Sequence, residues 1–427
     1  MALPDRSAAP SDAPASLAVP TAPVRFPWVM GVILVNVGIN VAFFGPIQVL
    51  LAQQAAHFEP GQKEAILALV TGAGAAVSVV ANPLFGAFSD RTGSRLGRRR
   101  LWVLVGVILA ATALMGLAGA PNIAVMTVLW CLVQAGCNAA YAAITAAVPD
   151  RVPVAQRGTV GGLAAMGVNV GILIGAVIGA VVAGNFSLGY VLCAAALVVG
   201  MVVYLFRADD DPLPRYALRR FALGTFLASF WVSPHRYPDF AWAWITRFLV
   251  NVGNHMVLVY LLYFLVDAVH LEPTTGIPPA TGVLILTGLY VVMVIITAVT
   301  GGWLSDLMGK RKPLVIVSSV IIAVASLILA FSPTWSGAIV GAGVLGAGFG
   351  TYLAVDYALI TQVLPTATDS GKDLGVINIA NSLPQVFAPV IAYTFVVHVA
   401  GYVSLYVAAA AVGLLGAVLV TRIRGVA

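Results

Sequence analysis

The chain has 427 residues, 60% of them hydrophobic and only 9% charged. A soluble domain carries about 25% charged residues, so this composition excludes a water-soluble enzyme, a nucleic-acid-binding protein and a disordered chain. The formal net charge of +6 matters less than where the charges fall. Cys131, Cys137 and Cys193 all lie inside apolar stretches, which suits helix packing in lipid and implies no disulfide framework.

Residues 1–25 are rich in Ala, Pro and Ser and predict a disordered cytoplasmic tail. They lack the positive-then-apolar order of a signal peptide. Beyond them the apolar runs are long and unbroken. A membrane-crossing helix needs about 20 apolar residues, whereas a barrel strand needs about ten of alternating character. The runs predict twelve spans, near 27–51, 64–88, 101–119, 121–147, 159–183, 187–206, 240–266, 281–304, 314–331, 335–363, 374–398 and 401–421. Open sheet edges are not tolerated in hydrocarbon, so the expected fold is an all-α membrane protein.

Basic residues set the orientation. Twenty of the 22 Lys and Arg fall in the tail, in the loops after the even-numbered spans, or at the C-terminal end. The exceptions are Lys63, in the first loop on the other side, and Arg247, inside span seven. Both termini are therefore expected in the cytoplasm. The only long connection, 207–239, passes through Asp209, Asp210 and Asp211 and a basic stretch flanked by prolines. Within it, Phe221 to Trp231 reads equally as an amphipathic helix on the inner leaflet or as a plain linker.

The two halves repeat. Gly86-Ala-Phe-Ser-Asp90 is followed by Arg91 and by Arg98 to Arg100, and Gly302-Trp-Leu-Ser-Asp306 by Lys310, Arg311 and Lys312. Tyr141-Ala-Ala-Ile-Thr145 and Tyr357-Ala-Leu-Ile-Thr361 recur at the same offset, as do Pro149 and Pro365. The expected organisation is a tail (1–25), an N-terminal six-helix bundle (26–206), a cytoplasmic linker (207–239) and a C-terminal six-helix bundle (240–427). Parallel halves that rock about a site at the membrane midplane are an alternating-access architecture.

The loop from Gly86 through Asp90, Arg91 and Gly93 to the trailing arginines resembles the signature of the major facilitator superfamily. The resemblance covers essentially everything after residue 25. Its longer form, Ser89 to Arg100, is similar to that of the glycoside–pentoside–hexuronide symporters and the related sucrose-type transporters, as is Gly371 to Gln385. The resemblance implies a twelve-helix transporter of two pseudo-symmetric bundles. It also implies an inner gate in which Asp90, Arg91 and Asp306 latch the halves together, with Gly86, Arg98 and Lys310 in the same two loops. Physically, Gly86 permits close helix contact, Asp90 suits the N-terminal amides of the next helix, and the arginines suit anionic headgroups or acids across the gate. Charge that only fixes topology is the simpler alternative.

Polar residues recur at helical spacing inside the spans: Asn36 and Asn40, with Gln48 further on; Gln134, Asn138, Tyr141 and Thr145; Arg247, Asn251 and His255; and Asn378, Ser382 and Gln385. Each set shares a helix face. In hydrocarbon such groups turn inward, toward water or one another, so they are candidate substrate-cavity residues. Their neutral amides, hydroxyls and aromatics suit a polyhydroxylated solute. Interhelical hydrogen bonding is the competing reading.

Among the acids, only Asp356 lies well within a span. Arg247 and Asp356 are both about seven residues from the same membrane face, or roughly 10 Å deep. An isolated charge at a helix centre costs about 2.5–3.5 kcal/mol, so the two are expected to pair. Asp356 or His255, beside Arg247, is the candidate proton-coupling group; a purely structural ion pair remains the alternative. The resembled symporters carry acids in spans two and four, whereas span two here reads Gly72-Ala-Gly-Ala-Ala-Val-Ser78 and span four has none, which favours protons, or no coupling ion at all, over sodium.

Gly341-Ala-Gly343-Val-Leu-Gly346 matches a dinucleotide fingerprint without its strand–turn–helix context, so close helix contact explains it. Gly167, Gly171, Gly175 and Gly179 form a packing ladder. The ladder also resembles a fifth-span signature of drug–proton antiporters, although Ala176 stands where their proline would be. The expected function is proton-coupled transport of a sugar or glycoside. The alternatives are export of amphipathic drugs or lipids and a non-transporting solute sensor. The expected setting is a monomer in the inner or plasma membrane, without cofactor, metal, nucleic acid or enzymatic activity, in contact with membrane lipids.

Overall fold

A computed structural model describes residues 20–182, 184–207, 224, 233–309, 311–363 and 370–423. Most of the N-terminal tail and of the 207–239 connection lies outside these residues, including all of the stretch from Phe221 to Trp231 except Gly224. All regular structure among the described residues is helical.

The apolar runs become long helices because hydrocarbon offers the backbone no partner except its own i−4 ladder. The first half contains α1 (Phe26–Phe58), α2 (Lys63–Ser89), α3 (Arg98–Ala118), α4 (Ile123–Arg151), α5 (Val154–Val181) and α6 (Phe186–Arg207). The second contains α7 (Pro238–Val259, continued as Leu261–Asp267), α8 (Pro279–Met308), α9 (Lys312–Phe331), α10 (Trp335–Val363), α11 (Ser370–Phe395) and α12 (Gly401–Val420). α7 bends by 45° at Tyr260. The apolar run Ile379–Val420 has 42 residues, about twice what a bilayer needs. It divides at Gly401, whose φ of 66° and ψ of −151° suit a residue without Cβ. Twelve crossings result, which puts both chain ends on one face (the terminal face) opposite a far face.

Helix ends follow local chemistry. Prolines open α1, α7, α8 and α9, where the absent N–H has no partner to lose. The Asn122 side chain caps α4 by accepting from Val125 N at 2.9 Å.

Packing shows the duplication. Within the first half α1 packs on α5 and α6, α2 on α4, and α3 on α4 and α6. Adding six to each number gives the pairs of the second half: α7 with α11 and α12, α8 with α10, and α9 with α10 and α12. The two halves meet along α2–α11 and α5–α8, a pair of contacts related by the same pseudo-twofold. Glycines permit the closest approaches. A Cβ on Gly171 would lie 2.6 Å from Val37 O, and one on Gly106 would lie 2.5 Å from Gly136 O.

Candidate functional site

Three helices of the second half converge on the one buried ion pair found within the membrane region among the described residues. Arg247 Nη1 on α7 lies 2.7 Å from Asp356 Oδ2 on α10, with side chains only 12% and 6% exposed. Arg247 Nε donates to Asn381 Oδ1 on α11 at 2.6 Å, while Asn251 Nδ2 donates to Arg247 O at 2.9 Å. Tyr352, one turn before Asp356, is buried beside the carboxylate. The pairing expected from depth is therefore present, and Asn381 joins it. A guanidinium in this setting needs its carboxylate, because removing one partner of a buried pair costs about 3–5 kcal/mol.

The other polar sets separate into different environments. In the first half, Ser78 Oγ donates to Gln134 Oε1 at 2.6 Å and Asn138 Nδ2 donates to Ser78 Oγ at 2.8 Å. Asn82 Nδ2 donates to Asn138 Oδ1 at 3.2 Å. Gln134 and Asn138 thus bind α4 to α2, and half-buried Tyr141 lies one turn beyond. Asn36 and Asn40 are buried and donate to the backbone four residues back, at 2.9 and 2.8 Å. Their Cβ atoms face Gly167 and Gly171 on α5. Ser382 is half-buried and Gln385 exposed; the side chain of Asn378 lies outside the described residues.

A cavity of about 370 Å³ runs between the halves. It follows α10 from Ala338 to Leu353, roughly 22 Å at the helical rise. Phe44 and Gln48 of α1, Ile172 of α5, Leu258 of α7 and Phe349 of α10 contribute to its walls. Most of the lining is apolar. The polar exceptions are Gln48, Asn169, Asn254, His255, Thr287 and Tyr290. His255 donates from Nδ1 to Asn251 O at 2.8 Å, and Tyr290 Oη donates to Asn254 Oδ1 at 3.4 Å. Of the residues expected to line a cavity or couple protons, Gln48 and His255 line this one.

The two faces of the bundle differ. At the terminal face Asp90 pairs with Arg99 at 2.6 Å, and Asp150 with Arg98 and Arg99, each at 2.7 Å. All four residues belong to the first half. Arg91 donates to Ala87 O at 2.7 Å, and Gly86 faces Ala142 of α4. The side chains of Asp306 and Lys310 lie outside the described residues.

At the far face the bonds cross between halves. Lys63 Nζ contacts both carboxylate oxygens of Asp267, at 2.7 and 2.8 Å, and Tyr402 Oη donates to the same group at 2.9 Å. Tyr263 Oη donates to Ala52 O and Tyr260 Oη to Glu64 O, both at 2.8 Å. Every hydrogen bond between halves among the described residues lies here. A Cβ on Gly72 would contact Val386 O of α11, whereas at the opposite end of α5 one on Gly158, Gly161 or Gly162 would meet no atom within 4 Å. Among the described residues, the polar contacts between the halves thus gather at the far face. The sequence signal for this latch was Lys63 itself, the one loop base on the wrong side of the topology, together with Asp267 at the end of span seven.

Two six-helix halves joined by symmetric contacts enclose a central cavity between them. The family profile of the Major Facilitator Superfamily matches residues 30–287 and 270–426, and the chain belongs to that superfamily. No curated protein matches the chain in sequence. Among solved structures, it is similar to a peptide transporter POT in complex with sulfate (TM-score 0.75, 14% identity, covering 96% of this chain and 97% of that one). It is also similar to the nucleoside transporter NupG (0.74, 11%, 93% and 99%). A third similar structure is a bacterial homologue of the human lysosomal transporter Spinster, inward-facing and unoccupied (0.66, 16%, 94% and 96%). At these identities the likeness concerns the fold.

Proposed function

We propose that this protein moves a small amphipathic solute, such as a glycoside with an apolar aglycone, by proton-coupled alternating access. The observation that carries the solute class is the cavity wall, which is mostly apolar with a few neutral polar groups. A free sugar would leave many hydroxyls against hydrocarbon, each costing about 1–3 kcal/mol without a partner. An aryl glycoside keeps the polyhydroxylated head that the loop from Ser89 to Arg100 suggests and adds a body that fits the walls. Export of other amphipathic compounds is supported by the same walls.

Asp356 is the proposed proton carrier. It is the one acid buried among the described residues, and Arg247, its partner, sits one and two turns from Asn251 and the cavity-lining His255. Protonating Asp356 releases Arg247 within the second half and offers a route from proton to cavity. The superfamily and the solved relatives favour transport over catalysis or sensing. With the termini in the cytoplasm of an inner- or plasma-membrane monomer, the latch at Lys63 and Asp267 lies on the outer side and serves as an outer gate.

The test is a screen in vesicles carrying a trapped pH-sensitive dye. Aryl glycosides and amphipathic compounds are expected to drive proton movement, and free hexoses and pentoses are not. A response to free sugars alone contradicts the wall argument. Solute uptake that moves no protons contradicts the coupling.

A further inference from the structure

One feature of α1 stands apart from the ion pair and the latch. Residues Pro46–Leu50 form a π-helical turn, in which Leu51 N–H bonds to Pro46 O five residues back. Pro46 has no N–H to give and its ring crowds the preceding turn, so the ladder widens there. Such turns often occur at functional sites because they re-aim a side chain. This one carries Gln48, a cavity-lining residue whose Oε1 is buried and has no hydrogen-bond partner. The turn is also where α1 touches α7 and α8 of the other half.

His255 on α7, which lines the same cavity, presents a second acceptor. A carbonyl only accepts, so the bond from Nδ1 to Asn251 O places the proton on Nδ1. In the neutral ring, Nε2 then carries the lone pair on the edge away from the helix. Both groups accept, and they stand on α1 and α7, the helices that the pseudo-twofold interchanges. A buried acceptor without a partner is unfavourable, and a donor on the solute would remove that cost.

We propose that Gln48 and His255 form a head-group subsite that accepts hydrogen bonds from hydroxyls of the solute, with the π-turn Pro46–Leu50 as the element that sets this specificity. The subsite rests on the amphipathic-solute reading and adds the direction of its hydrogen bonds. A head bound by both residues joins the two halves, so solute recognition and domain closure share the same contacts.

The experiment compares 2-naphthyl glucoside with its tetra-O-methyl ether, which keeps the apolar body and loses every hydroxyl. Binding is read by naphthyl fluorescence on the full chain in nanodiscs. Partition into lipid is common to all variants, so comparison among them isolates the cavity. The wild type is expected to favour the glucoside by about fivefold or more. Gln48→Met, which replaces the orphaned acceptor with a flexible apolar group, and His255→Phe are each expected to bring the two ligands toward parity while the ether's affinity stays within about twofold. A preference unchanged in Gln48→Met overturns the subsite. So does a melting temperature well below that of wild type in this variant, because Gln48 would then have a structural partner. Equal wild-type affinity for both ligands overturns the subsite and leaves the amphipathic reading standing; binding of neither overturns that reading as well.

Discussion

Replacing Asp267 by Asn should release the far-face latch. The substitution preserves shape but removes the charge that Lys63 Nζ contacts through two oxygens at 2.7 and 2.8 Å. It also weakens the acceptor for Tyr402 Oη at 2.9 Å. Charge-assisted bonds contribute about 1.5–3 kcal/mol when buried, and exposed ion pairs about 0.2–1 kcal/mol. With side chains 18% and 30% exposed, the latch falls between, at about 1–1.5 kcal/mol, or roughly five- to tenfold in the balance between closed and open far faces. The tyrosine bonds to Ala52 O and Glu64 O remain, so the far face should open more often without losing the closed state.

Spin labels at Glu59→Cys and Glu272→Cys, both exposed at the far face, would report the separation in a background lacking Cys131, Cys137 and Cys193. The expected result is a new long-distance population in Asp267→Asn, matched by Lys63→Met and not exceeded by the double variant. Identical distance distributions in all four proteins would refute the latch.

Other substitutions test the packing and the ion pair. Arg247→Met leaves the Asp356 carboxylate buried without its partner and should destabilise by about 3–5 kcal/mol, read as a lower melting temperature; adding Asp356→Leu should recover much of the loss. Gly171→Ala would bring a methyl to 2.6 Å from Val37 O and should cost about 1–3 kcal/mol, whereas Gly161→Ala, with open space around it, should leave thermal stability unchanged. Gly401→Ala forces a side chain into a backbone conformation near φ 66° and should cost about 1–3 kcal/mol, visible as reduced yield of folded protein.

The spans and the Arg247–Asp356 contact were legible in the sequence because hydrocarbon leaves few choices. An apolar run of bilayer length must be a helix, and two opposite charges at equal depth must find each other. The asparagines show where that reasoning stops. Asn36 and Asn40 share a face, but a bundle helix has several inward faces, and theirs meets the glycines of α5 at contact distance. Gln134 and Asn138 bond to Ser78 and Asn82, residues whose register against α4 depends on tertiary packing. Gln48 was visible as a polar residue, but the π-turn that sets its direction follows from how Pro46 reorganises the ladder. Asn254 and Tyr290 sit in long apolar helices, and only their mutual bond and the cavity mark them.

Proton-driven accumulation by wild type and by Asp356→Asn tests the central claim most directly. Vesicles with an imposed pH gradient would be supplied with a radiolabelled aryl glycoside. Wild type is predicted to concentrate it and to lose the gradient in doing so, while Asp356→Asn exchanges the solute across the membrane without concentrating it. Undiminished proton-driven accumulation by Asp356→Asn would contradict the account.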